Sequence, residues 1–235
     1  MLTILVPASG LGSRFTAAGY RKPKPFIDVA GDPMLTRVLR NVRPSCTHRA
    51  VVILRREQAA HCHIGGATVM LIDGVTEGAA CTALLARSYF DNDDPLMIVN
   101  SDQLLDWDVD DFLASAQGAD GSIVTFTASD PRWSYVRKYE RYVVEVAEKR
   151  VISDEATCGV YWWRRGRDFA RSVETMIAQN DRFNGEFYIA PSYNHLIAEG
   201  ARITTYRLPD DAMHGLGTPE DLEWYLDGIR QAQAA

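Results

Sequence analysis

The apolar run from Leu2 to Val6 stops at Pro7 and opens into Ala8-Ser9-Gly10-Leu11-Gly12-Ser13, closed by Arg14. Lys24 follows ten residues later, held between Pro23 and Pro25. An uninterrupted apolar run bounded by a small-residue loop reads as a buried strand feeding a turn at a sheet edge. Between Met1 and Asp28 the segment carries Arg14, Arg21, Lys22 and Lys24 with no acidic residue, although the whole chain has a net charge of -6. Cations beside a glycine loop on an acidic protein suit a polyphosphate, because exposed backbone N–H groups reach phosphate oxygens and fixed cations offset their charge. A plain tight turn is the competing reading of Gly10-Leu11-Gly12. Phe15 stands where a dinucleotide fingerprint needs its third glycine, and no G-x-x-x-x-G-K-[ST] is present, so neither of those phosphate motifs applies.

At 235 residues and 46% hydrophobic, the chain can bury a full core as one domain. No apolar run is long enough for a membrane span or a signal h-region. Cys46, Cys62, Cys81 and Cys158 are scattered without a C-x-x-C. That spacing suggests neither zinc nor a disulfide framework, and points to a reducing cytoplasm. A pI near 5.4 and the lack of a long basic run argue against nucleic acid as the main partner.

Further along, Asp32-Pro33 reads as a helix start with Asp32 as N-cap, and Met34, Val38, Leu39 and Val42 share one helical face. Strands are expected over 50–54, 67–72 and 96–100. Between them lie a short polar helix over 57–63 and a helix over 79–89 with Thr76 as its N-cap. His61 and His63, two apart on that polar helix, read as solvated surface. The small residues Gly78, Ala79 and Ala80 either admit a flat ligand to the backbone or pack the helix tightly on the sheet. Asp102 closes the strand over 96–100, at the carboxyl edge where open α/β sheets bind ligands. A buried unpaired carboxylate is costly, so an Asp there reads as a metal or ligand group. Asp106, Asp108, Asp110 and Asp111 read as a solvated acidic turn, with Asp110 capping a helix over 111–117. In the second half, strands are expected over 122–127, 142–147, 156–163 and 201–208. Residues 131–139 read as a loop rich in Trp, Tyr and basic groups, and helices are expected over 168–178, 193–199 and from Pro219. Alternation of strands and helices predicts an α/β, three-layer αβα fold with a mostly parallel sheet. Residues 1–235 form a single domain, with a nucleotide-binding half over 1–121 and an acceptor-binding half over 122–235.

The text V-P-A-S-G-L-G-S-R-F, followed by K-P-K-P-F-I-D-V-A-G-D-P-M, resembles the signature of the sugar-phosphate nucleotidyltransferases, or nucleotide-sugar pyrophosphorylases. Four later stretches match that family in order: T-E-G-A-A-C-T-A, N-S-D, E-K through A-T-C-G-V-Y, and N-G-E-F-Y with H-G-L-G-T-P-E-D-L at the close. The resemblance implies a Rossmann-like nucleotidyltransferase fold with a mixed sheet. By it, Arg14 and Lys24 contact the phosphates of a nucleoside triphosphate, and Ala8 through Ser13, Thr76, Glu77, Gly78, Asn100 and Ser101 bind the nucleotide. Asp102 becomes the Mg²⁺ ligand. Glu148 holds sugar hydroxyls, Lys149 the acceptor phosphate, Gly159 lets the sugar lie against backbone, and Arg182, Asn184 and Glu186 complete the acceptor side. Read without the resemblance, a surface ion pair at a strand end is the lesser alternative for Glu148-Lys149. The Gln by which the family reads the base is missing from T-E-G-A-A-C-T-A. The family's second metal aspartate falls on Gly215, with Asp210, Asp211 and His214 nearby as substitutes.

The implied reaction is in-line attack of a sugar 1-phosphate oxygen on the α-phosphorus of a nucleoside triphosphate, releasing pyrophosphate. The competing expectations are a cytidylyltransferase for a small phosphorylated alcohol or amine, and a non-catalytic nucleotide-binding regulator. No membrane partner is expected, and homo-oligomerisation is left open.

Overall fold

The computed structural model describes residues 1–61 and 64–234; Cys62, His63 and Ala235 lie outside the described residues. The first half alternates strands and helices. It runs β1 (Leu2–Pro7), α1 (Ser13–Ala17), the two-residue strands β2 (Asp28–Val29) and β3 (Asp32–Pro33), α2 (Met34–Asn41), β4 (His48–Arg55), β5 (Ala67–Ile72), α3 (Ala79–Leu84), β6 (Leu96–Val99), β7 (Gln103–Leu105) and α4 (Val109–Ser115). The second half is richer in strand: β8 (Gly121–Thr127), β9 (Tyr135–Tyr139), β10 (Tyr142–Ala147), β11 (Glu155–Trp163), α5 (Gly166–Ala178), α6 (Ser192–Ala198), β12 (Ile203–Arg207), β13 (Met213–Gly215) and α7 (Pro219–Ala234).

β1 pairs in parallel with β4 and β6, and β4 with β5. β11 runs antiparallel to β6 on one edge and to β8 on the other, and β12 adds in parallel to β8. The antiparallel hairpin β9–β10 joins the far end of β11. The result is the expected α/β fold around a mixed, mostly parallel sheet. Alternation along β1 explains its two faces. Leu2, Ile4 and Val6 enter a core with α2, α4 and α7, whereas Leu5 enters a second core with α3, α5 and α6. β6 and β11 are buried along their whole length, which accounts for the unbroken apolar text of β6, while β11 also buries Glu155 and Thr157.

Several local expectations change. Asp32 does not cap α2; it lies in β3 and pairs with Arg40 at 2.5 Å, and the helix starts after Pro33. Thr76 does not cap α3, because its hydroxyl donates to the Gly78 carbonyl at 2.8 Å and meets the Thr82 hydroxyl at 2.7 Å. α3 ends at Leu84, and a separate 3-10 turn holds Arg87–Tyr89. Asp108 rather than Asp110 caps α4, accepting from the Asp110 amide at 2.8 Å. Residues 135–139, read as loop, form β9, since Tyr135 and Val136 are buried against the sheet while Arg137, Lys138 and Tyr139 face out. The polar helix after β4 is a 3-10 turn, Arg56–His61, with His61 exposed. The expectation for His63 falls outside the described residues.

Candidate active site

The carboxyl ends of β1 and β6 meet at one cleft of about 450 Å³. Arg14, Lys24 and Asp102 all line it, together with Asn100, Glu148 and Lys149. A smaller recess shares Lys24, Asn100 and Asp102 and is walled by Ala8, Gly10, Gly12 and Ser101. The amino-terminal cations and the carboxylate some eighty positions later therefore share one site.

The loop after β1 explains how Lys24 is aimed. Gly12 has φ 64°, and a Cβ there would stand 3.0 Å from the Lys24 Cβ. Glycine thus permits both the left-handed turn into α1 and the close passage of the Pro-Lys-Pro segment. A Cβ on Gly10 would meet nothing within 4 Å, so that position is open to a ligand. Among the described residues, the amides of Gly10, Leu11 and Gly12 donate to no protein acceptor. The Lys24 ammonium bonds the Asp102 carboxylate, with both side chains about four-fifths covered.

The floor comes from pairing that local sequence does not announce. β7 and β13 form a separate antiparallel ribbon, with Gly215 opposite Gln103, and the Leu216 amide donates to the Asp102 carbonyl at 2.8 Å. This ribbon brings Gly215, Gly217 and the first turn of α7 against Asp102. A Cβ on Gly217 would lie 3.1 Å from an Asp102 carboxylate oxygen. Gly159, at φ 81°, has its Cβ position filled by the amides of Asn100 and Gln103. Its glycine is thus required by protein packing as well as leaving backbone at the cleft.

On the acceptor side, burial raises the Glu148 carboxyl above its ordinary value, against the opposing pull of a Ser134 hydroxyl bond and the Lys149 charge. Lys149, at φ 48°, reaches back to donate to the Tyr188 hydroxyl at 2.7 Å, with its ammonium 4.7 Å from that ring's centre. Burial raises the Tyr188 hydroxyl too, reinforced by Glu186. Arg132 lies over the Trp133 ring at 4.6 Å and pairs with Asp221 at 3.2 Å.

Other expected site residues are occupied within the protein. The Ser9 hydroxyl meets Thr82 at 3.1 Å, and Leu11 is exposed. Ser13 begins α1 at the surface. A Cβ on Gly78 would overlap the Phe187 backbone, and the Phe187 amide donates to the Glu77 carbonyl at 2.7 Å. Of the two readings of the small residues at 78–80, tight packing is therefore the one seen at Gly78. Arg182 stacks on Phe187 at 4.2 Å and pairs with Glu77 at 2.7 Å. Asn184 sits in an exposed left-handed turn, and Glu186 lines a neighbouring recess with Arg182 and Glu148. Sequence reasoning did not single out Gln103, Arg132, Trp133, Tyr188 or Asp221. The aromatic and basic text of 131–139 was the legible signal for Arg132 and Trp133.

A divalent cation fits this donor set. Asp102 is partly exposed to the cleft, and the Gln103 amide oxygen, in a side chain 7% exposed, has no hydrogen-bond partner among the described residues. Mg²⁺ keeps several waters and is commonly held by one or two carboxylates plus substrate phosphates.

Residues 4–165, over half of the chain, match the MobA-like NTP transferase domain. The chain belongs to the MobA-like NTP transferase family. It is a nucleotidyltransferase by that membership. Among solved structures it is similar to the nucleoside-diphosphate-sugar pyrophosphorylase of Vibrio cholerae RC9, at 25% identity and a TM-score of 0.82, over 95% of this chain and 99% of that one. It is also similar to a UDP-glucose pyrophosphorylase complexed with UDP-glucose, at 14% identity and a TM-score of 0.81, over 99% of both chains. The second likeness speaks for the fold alone. Among the described residues of this NTP transferase, no helix is long and apolar enough to cross a membrane.

Proposed function

We propose that this transferase joins the nucleotidyl group of a nucleoside triphosphate to the phosphate of a sugar 1-phosphate, releasing pyrophosphate, with Mg²⁺ as cofactor. The convergence of Arg14, Lys24 and Asp102 with Lys149 and Glu148 on one cleft carries the reading. The likeness to the Vibrio cholerae nucleoside-diphosphate-sugar pyrophosphorylase supports a sugar phosphate as acceptor.

The main barrier is electrostatic. Two unit negative charges about 6 Å apart in an effective dielectric near 20 repel by roughly 3 kcal/mol, and an acceptor dianion must approach several such charges. Arg14 and Lys24 offset the triphosphate, and the free loop amides hold its oxygens. Lys149, positioned by Tyr188, attracts the acceptor phosphate. Glu148 and the Ser134 hydroxyl offer hydrogen bonds to acceptor hydroxyls. No general base is needed, because the attacking oxygen is already anionic, so the chain contributes positioning and preorganised charge. Mg²⁺, when bound by Asp102, supplies further charge neutralisation at the triphosphate.

A pyrophosphate-release assay over the common nucleoside triphosphates crossed with sugar 1-phosphates tests this. Turnover with at least one pair is expected. Turnover only with phosphorylated alcohols or amines assigns the other acceptor class, and no release with any acceptor leaves a nucleotide-binding regulator.

A further inference from the structure

Asp221 lies in the first turn of α7, where the helix dipole favours an acid at the surface. Its neighbour Glu220 is exposed, whereas Asp221 has a side chain only 21% exposed and lines the same cleft as Asp102. Both carboxylates lie against the Gly215–Gly217 segment. An ideal Cβ on Gly217 stands 3.1 Å from an Asp102 oxygen, and one on Gly215 stands 3.9 Å from an Asp221 oxygen. The Asp221 carboxylate thus borders the space that a side chain at 215 would enter. The nearer-sequence candidates face elsewhere. His214 bonds Asp106 at 2.8 Å, Asp210 accepts from Thr127 at 2.9 Å, and Asp211 is exposed at φ 65°. Both of these carboxylates pair with a cleft cation, Asp102 with Lys24 and Asp221 with Arg132. Gln103 lines that cleft as well, with its amide oxygen buried against Gly159 and without a hydrogen-bond partner among the described residues.

We infer that Asp221 is the second carboxylate of the divalent-cation site, and that metal binding with a polyphosphate frees Lys24 and Arg132 for phosphate oxygens. This rests on the proposed function. Two carboxylates with a polyphosphate suffice for an octahedral cation that retains waters. The bland alternative is that Asp221 only anchors Arg132.

Mn²⁺ binding, followed by electron paramagnetic resonance in the presence of inorganic tripolyphosphate, separates the two. At saturating tripolyphosphate, Asp221→Asn weakens Mn²⁺ by about tenfold or more, while Arg132→Gln, which keeps both carboxylates, weakens tripolyphosphate and leaves Mn²⁺ affinity unchanged. The double variant Asp221→Ala/Gly215→Asp regains binding, since a Cβ at 215 meets only ordinary contacts, the nearest 3.7 Å from Trp133. Near-UV circular dichroism confirms that each variant is folded. Wild-type affinity in Asp221→Asn, loss in Arg132→Gln equal to that in Asp221→Asn, or a folded double variant that stays weak overturns the inference. If Asp102→Asn abolishes binding while Asp221→Asn keeps wild-type affinity, the inference fails and the proposed function stands. If wild-type protein binds no Mn²⁺ with tripolyphosphate, both fail.

Discussion

Lys24 and Lys149 are both lysines of one cleft, yet their surroundings assign them different work. Lys24 is packed against Gly12 and bonded to Asp102, so it is fixed at the Asp102 end of the cleft. Lys149 rests on Tyr188 at the acceptor end. Lys24→Ala is expected to lower kcat by about 100-fold, the loss typical of one preorganised charged donor, with little change in acceptor KM. Lys149→Ala is expected chiefly to raise acceptor KM. Steady-state kinetics on both variants check the split, and wild-type turnover in Lys24→Ala would refute it. Glu148 gives a pH prediction. Its folded carboxyl titrates above the ordinary 4.5, so between those values the folded state holds more protons than the unfolded. Stability contributed at this group therefore falls as pH rises through that window. Glu148→Gln removes the dependence, so the variant gains on wild type as pH rises from 4.5 to neutrality, read by urea titration at each pH. The lysines and Glu148 were legible because motif order placed them. Asp221 was not, because its role depends on a ribbon between residues 103 and 215.

The same division appears between elements. β1, β4, β5 and β6 could be read from apolar runs, since a strand buried on both faces needs nothing else in its text. β9 could not, because three of its five residues are exposed and its pairing with β10 and β11 is set by the hairpin as a whole. The caps of α2, α3 and α4 moved because Asp32, Thr76 and Asp110 found other partners. Gly10 and Gly78 show how a glycine's meaning depends on the element that faces it. At Gly78, φ is 130° and a Cβ would come within 2.6 Å of the Phe187 amide nitrogen. Gly78→Ala is expected to destabilise the fold by roughly 2–4 kcal/mol through strain and overlap. At Gly10 the space is open, so Gly10→Ala changes stability by less than about 0.5 kcal/mol. It raises the KM for the nucleotide instead. Urea midpoints paired with nucleotide KM values decide both.

The halves 1–121 and 122–235 each supply one side of the cleft, but the sheet does not divide there. β6, buried throughout, has β1 on one edge and β11, from the other half, on its second edge. Both cores also mix the halves. One joins Val6 and Val38 to Val124, Val160 and Leu216, and the other joins Leu5 and Ile53 to Trp163, Phe169 and Tyr193. Removing residues 122–235 would uncover an apolar central strand edge and one side of each core, which a chain of 121 residues cannot rebury. The whole protein is thus expected to unfold in one cooperative step. Its tryptophans allow the check, since Trp107 lies in the first half and Trp133, Trp162, Trp163 and Trp224 in the second. Replacing the four later tryptophans by phenylalanine leaves Trp107, which packs on Phe112 of α4 and on Tyr206 of β12, as the one tryptophan reporter. Its fluorescence midpoint in urea should coincide with the midpoint from far-UV circular dichroism of the same variant. An earlier or later Trp107 transition would mean that the nucleotide side folds by itself, and that the cleft is a junction between separable bodies rather than a seam in one continuous sheet.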